Sequence, residues 1–339
     1  MSDLPRRRAL ALMVSLPAAA LASCALNRTN PRADTHPLDP KAPAAADGAP
    51  APGAQPAQLS PQTSGWKAGP GEVLPEVKQT ATAFIESAGT WRTARGVQAS
   101  SEGSGAVPQA PLTASILEVP GAESSSVQVV YPQYGGITTD TAAVIVLFDQ
   151  QLRGPGGITS RQLALDVRLL RRAGGMWEVD RINPPTSLGS AVPLSAAATE
   201  VLTDRRIRLS SPAQTDVNTG RVDEQILQIL LGLAEDYELG IQVIHTGHIQ
   251  TVFPTSRVSN HAVGRAVDIR EIDGKTVIDP TMSPSVLARF MQRASELGAT
   301  EVGGPFDLNA ERKGFFTDDV HQDHIHIGVT PGDPLAHLR

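Results

Sequence analysis

The sequence predicts an α+β protein with two folded segments behind an unstructured N-terminal stretch. Three observations lead there. Residues 72–185 carry one helical pattern and then a series of strand-like runs; residues 191–339 mix amphipathic helices with short strands ending in polar residues; residues 25–71 are rich in Ala, Pro, Asp, Gly and Gln and poor in large apolar side chains. A chain of 339 residues has room for two globular units, and a hydrophobic fraction of 40% allows each a core. The formal net charge of −6 leaves no basic excess to hold a nucleic acid.

The N-terminus reads as an export signal. Arg6, Arg7 and Arg8 precede an apolar stretch from Ala9 to Ala22, which is too short to remain as a membrane-spanning helix. Cys24 is the one cysteine of the chain, so an internal disulfide is impossible. Leu21-Ala22-Ser23-Cys24 resembles the bacterial lipoprotein box. That resemblance implies a signal peptide over residues 1–23, acylation of Cys24, and anchoring to the outer face of the cytoplasmic membrane. Two acyl chains suffice for stable anchoring. Cleavage there removes one acid and three bases, so the charge of −6 becomes −8. The export route stays open, since the arginines also resemble a twin-arginine signal. Residues 24–71 then form a tether, because they bury too little apolar surface to offset ordering.

In the first folded segment, Val77, Ala81, Phe84, Ile85 and Ala88 recur at helical spacing within Val73–Thr93. Strand-like runs follow at Ser115–Val119, Ser126–Tyr131, Ala142–Phe148 and Leu163–Leu170. A turn over Arg171–Gly175 leads into Met176–Ile182. Trp177 and Tyr131 are read as core residues. One helix followed by a strand meander resembles the cone-shaped fold of the nuclear-transport-factor and SnoaL-like families. No catalytic set stands out in it, and its expected role is a spacer or a surface for an envelope protein partner.

In the second segment, Leu194–Leu202 reads as a short helix. Val222–Tyr237 is a stronger one, with Ile226, Ile229, Leu230 and Leu233 on one side and Asn218, Thr219 and Asp223 near its start. Ile241–Ile244 reads as a buried strand, and Pro284–Leu297 as a helix closed by Gly298.

Seven of the eight histidines fall in this segment, and their spacing is specific. One cluster runs Ser259-Asn260-His261-Ala262-Val263-Gly264-Arg265-Ala266-Val267-Asp268; the other runs His321-Gln322-Asp323-His324-Ile325-His326. Imidazoles and carboxylates together suit zinc, and a catalytic site uses three protein ligands with a fourth position open. The first cluster resembles the Ser-x-His-x-x-Gly-x-Ala-x-Asp pattern of zinc peptidases of the D-alanyl-D-alanine carboxypeptidase group, relatives of lysostaphin-type wall hydrolases. The second matches their downstream His-x-Asp-His-x-His pattern. The resemblance covers roughly the last hundred residues and is firm at these two motifs.

It implies a C-terminal domain of the family's kind, an antiparallel sheet with helices. It implies that Zn2+ is bound by His261, Asp268 and His326, that Asp323 is the general acid/base, and that His324 and His321 support the ligands or the transition state. The implied substrate is a peptide bond of peptidoglycan stems or cross-links. Alternation with Ile325 and Ile327 points His324 and His326 to one strand face, and Asp323 is expected in the loop before the strand. Gly264 and Ala266 allow close packing beside the metal. Ser259 either contacts substrate or caps a turn, while Arg257 and Arg265 are candidates for gripping a peptide carboxylate.

One departure matters. Many members of the family carry a carboxylate-binding arginine where this chain reads His245-Thr246-Gly247-His248-Ile249-Gln250. His248 or Arg257 stands in, or the enzyme is an endopeptidase, or it does not cleave; His245 and His248 are otherwise read as structural histidines. The rival readings are a zinc-containing peptidoglycan-binding lipoprotein without turnover and a structural envelope lipoprotein.

Overall fold

The structure is a computed structural model that describes residues 65–94, 97–98, 116–310 and 314–331, all within one compact unit, Gln55–Arg339. The signal segment, Cys24 and the tether up to residue 64 lie outside the described residues. Among the described residues the protein is mixed α+β, with five helices and two sheets.

The first layer begins with helix α1 (Pro75–Gly89), whose proline start suits the first helical turn. Its buried face, Val77, Ala81 and Ile85, covers a six-stranded antiparallel sheet of order β2-β1-β3-β4-β5-β6. The strands are β1 (Trp91–Ala94), β2 (Val97–Gln98), β3 (Ser124–Ile137), β4 (Thr141–Gly154), β5 (Gly157–Arg171) and β6 (Trp177–Asn183). The unbroken apolar run Ala142–Phe148 is buried throughout, because β4 packs on both faces: Val144, Val146 and Phe148 face α1, while Ile145 and Leu147 form a second small cluster with Ala164.

Two expectations change here. Ile116 and Leu117 form a helical turn and not a strand: Arg161 donates to the Ile116 carbonyl and Gln150 to that of Leu117, so side chains satisfy the groups a ladder would have used. Trp66, read as part of the tether, packs edge-on against Tyr131, and its backbone N–H donates to the Glu86 carboxylate.

The second layer holds α2 (Ala196–Thr203), α3 (Ser211–Asn218), α4 (Glu224–Ala234) and α5 (Pro284–Glu296). Ser195, Ser210 and Asp223 cap the first three by accepting backbone N–H groups. The helices cover a sheet of order β12-β11-β13-β9-β8-β7, with β10 paired to β9. Its strands are β7 (Ile207–Leu209), β8 (Leu239–Val243), β9 (Ala266–Ile272), β10 (Lys275–Thr276), β11 (Glu301–Gly303), β12 (Phe315–Phe316) and β13 (Ile325–Gly328). The sheet is antiparallel at its centre, while the outer pairs β7/β8 and β11/β12 are parallel.

The layers interlock through backbone. Buried Gly247 has φ +88°, and a Cβ there would lie 2.4 Å from the Ala164 carbonyl oxygen of β5. Gly247→Ala combines left-handed strain with a backbone clash and should destabilise the fold by about 2–4 kcal/mol in denaturant unfolding. A loss below about 0.5 kcal/mol would show that the contact between layers is loose.

Candidate metal centre

Strands β9 and β13 pair with Asp268 directly opposite His326, which sends both side chains to one face. His261 arrives from a single 3₁₀ turn, His261–Val263, ended by Gly264 in the left-handed conformation at φ 71°. The Ser259 hydroxyl accepts the His261 N–H at 3.3 Å, so Ser259 caps this turn while also lining the cleft. His248 follows the Gly247 turn and stacks on His261, ring centroids 3.6 Å apart.

The hydrogen bonds fix the tautomers. His261 donates from Nδ1 to the Ile244 carbonyl at 2.6 Å, and His248 donates from Nδ1 to the Ile249 carbonyl at 2.9 Å. Each ring therefore turns an Nε2 lone pair toward Asp268, at 3.2 Å from Oδ1 for His261 and 3.4 Å from Oδ2 for His248. His326 faces Glu301 through Nε2 at 3.4 Å and presents Nδ1 at 3.0 Å from Asp268 Oδ1 and 3.1 Å from His261 Nε2. Electron-rich atoms this close repel one another unless a cation or a proton lies between them.

A metal ion fits. The largely buried His248, His261 and Asp268 can hold one, their ligating atoms all lying within 4.8 Å of one another. His261, His326 and Asp268 form a tighter set, with separations of 3.0–3.2 Å. Tetrahedral zinc with bonds of about 2.0–2.1 Å has ligand–ligand edges of about 3.3 Å. The two sets share His261 and Asp268, and the His248 ring lies stacked on His261.

Electrostatics agree. Burial pushes the His261 imidazole down to about 3 against the pull of Asp268, so it is neutral and ready to ligate. Burial would raise the Asp268 carboxyl, but the surrounding imidazoles hold it well below the usual range. His326 moves the other way: burial opposes its charge, yet Asp268 and Glu301 on either side raise it to about 10.

Asp323 lies in the loop before β13, as expected, but not facing the ligands. Its Oδ1 accepts His324 Nδ1 at 2.5 Å, and its Oδ2 accepts Lys78 Nζ of α1 at 2.5 Å. His324 is thereby held with Nε2 3.8 Å from Asp268 Oδ1. His321 is tied at Nδ1 to Asp318 at 2.7 Å and packs 5.0 Å, centroid to centroid, from His324. His245 is structural: buried, it donates to the His261 carbonyl and accepts from Thr186.

These groups lie in or beside a cleft of about 780 Å³. One wall comes from the first layer, where Tyr134–Thr139 line it. Exposed Arg257 sits on its rim; Arg265, the other carboxylate-gripping candidate, instead faces Asp223 at 3.6 Å. Lys78, Gln133 and Glu301 were not singled out in the sequence. The Gln133 amide donates to Asp268 Oδ2 at 2.6 Å, and such outer groups orient ligands and tune a metal. No sequence signal joins Lys78 to Asp323 across 245 residues.

A metal bound by His326 must displace its proton, so affinity should rise about tenfold per pH unit from pH 6 to 8, with about one proton released per ion. Chelator competition in buffers of differing ionisation enthalpy measures both; a pH-independent affinity excludes His326 from the ligand set. The chain matches no family model, no curated protein and no solved structure, and the reading of the site rests on its geometry.

Proposed function

We propose that this protein is a zinc-dependent peptidase acting on peptide bonds of peptidoglycan stems or cross-links, held at the membrane by lipid on Cys24. The observation that carries this reading is the convergence of His261 Nε2, His326 Nδ1 and Asp268 Oδ1 at mutual distances of 3.0–3.2 Å beside an open cleft. The two motifs that supply these ligands are those that resemble the D-alanyl-D-alanine carboxypeptidase group, and the second layer's central antiparallel sheet with helices is compatible with a domain of that kind.

Zinc held there would polarise a carbonyl and make water acidic near pH 7. The chain's own residues supply the rest. His324 has Nδ1 committed to Asp323 and a free Nε2 near the ligands, so it is placed to take a proton from attacking water and return it to the leaving amine. Asp323, which the motif resemblance made the acid/base, serves here as the acceptor that orients His324. Glu301 fixes His326, and Gln133 fixes the second oxygen of Asp268. Arg257, exposed on the rim, suits a carboxylate at one end of a peptide.

Purified wild type, Asp323→Ala and His324→Ala should each be incubated with peptidoglycan, with zinc measured in all three. Wild type should release new muropeptides, while the variants keep zinc and lose about 10²-fold or more in rate. Zinc in all three with products from none favours the binding lipoprotein; absence of zinc from wild type ends the metal reading. Separately, Cys24→Ala should abolish acylation and move the protein from the membrane to the soluble fraction, whereas unchanged membrane association refutes the anchor.

A further inference from the structure

The strongest unexplained feature is a buried cation that the first layer places against the reaction centre. Lys78 is 0% exposed. Its ammonium contacts the carboxylates of Glu72 and Asp323 and lies 3.2 Å from the Tyr131 hydroxyl, which in turn donates to Glu72 at 2.8 Å. The rings of Tyr131 and Tyr134 flank it, with centroids 4.8 and 4.9 Å away. The Tyr134 N–H adds a second donor to Asp323 Oδ2 at 3.3 Å.

We infer that the first layer is part of the reaction centre and not a spacer, with Lys78 as the positioning residue that fixes Asp323 and, through it, the ring of His324. This rests on the peptidase reading for its consequence, not for its geometry. A buried ion pair is a poor stabiliser, since apolar side chains of similar volume often do as well. What Lys78 does supply is direction. It fills Oδ2 of Asp323, leaving Oδ1 to accept His324 Nδ1 and commit that ring to one tautomer. Gln133 does the same for the other central carboxylate, occupying Asp268 Oδ2 while Oδ1 faces His261 and His326. Both carboxylates of the centre are thus oriented by side chains from more than 130 residues upstream.

Lys78→Met alone strands two buried carboxylates, so it is best made together with Glu72→Gln. The readouts are zinc content, thermal unfolding, kcat and KM on peptidoglycan peptides, and the ¹⁵N NMR signature of the His324 imidazole in the zinc-loaded protein. The double variant should fold with its zinc and keep KM within about twofold, while kcat falls about 10- to 100-fold and the His324 Nδ1–H signal is lost. Unchanged kcat or an unchanged His324 signal overturns the assignment, and a double variant that unfolds or loses zinc makes Lys78 structural and overturns it too. If wild type turns nothing over but the His324 signal still depends on Lys78, the peptidase reading fails and the positioning stands.

Discussion

The centre is organised around one constraint: Asp268 is a fully buried carboxylate that cannot remain charged without compensation. The chain places three imidazole nitrogens within 3.4 Å of it, from His248, His261 and His326, and a fourth from His324 at 3.8 Å. Each ring is then held from behind: His261 by the Ile244 carbonyl, His248 by that of Ile249, His326 by Glu301, and His324 by Asp323. A cross-strand pair, a 3₁₀ turn, a glycine turn and a loop thus meet at one buried charge.

The first layer is drawn in by the same requirement. Strand β3 carries two register shifts, between Val129 and Tyr131 and between Tyr134 and Gly136. A bulge reverses which side chains face the core. Val127 and Val129 point into the first core before the first shift, and Tyr134 does so after it, leaving Gln133 on the opposite face to reach Asp268. An unbulged β3 would have kept odd-numbered residues inward, and Gln133 would have been a polar group buried against α1.

The sequence made the local features legible because they depend on local rules. The helix within Val73–Thr93, the strand-like run Ala142–Phe148 and the turn before Trp177 follow from periodicity and turn chemistry. His261, Asp268, His324 and His326 are singled out by the motif resemblance, and the structure gathers all four. What could not be read depends on contacts between the layers. His248 carried no spacing signal and looked structural, yet its stack on His261 brings it to the ligands. Arg265 resembled a substrate group until Asp223 claimed it. Lys78 looked like one polar position on an amphipathic helix, because nothing in α1 reveals that a carboxylate from a distant loop will meet it.

Asp323 meets partners other than those the motif resemblance implies for it. A carboxylate three residues before the last ligand can act directly on water only if it faces the metal. Here both of its oxygens are occupied, one by Lys78 and the Tyr134 N–H, the other by His324. A carboxylate with so many donors is a weak base, since every hydrogen bond to its charged form disfavours protonation; burial is outweighed by Lys78 and His324, which hold the Asp323 carboxyl below the usual carboxylate range. His324 has one nitrogen fixed by Asp323 and turns the other toward Asp268. The lysine of the first layer therefore does more than neutralise a charge: by engaging one oxygen of Asp323 it leaves the other to hold the His324 ring.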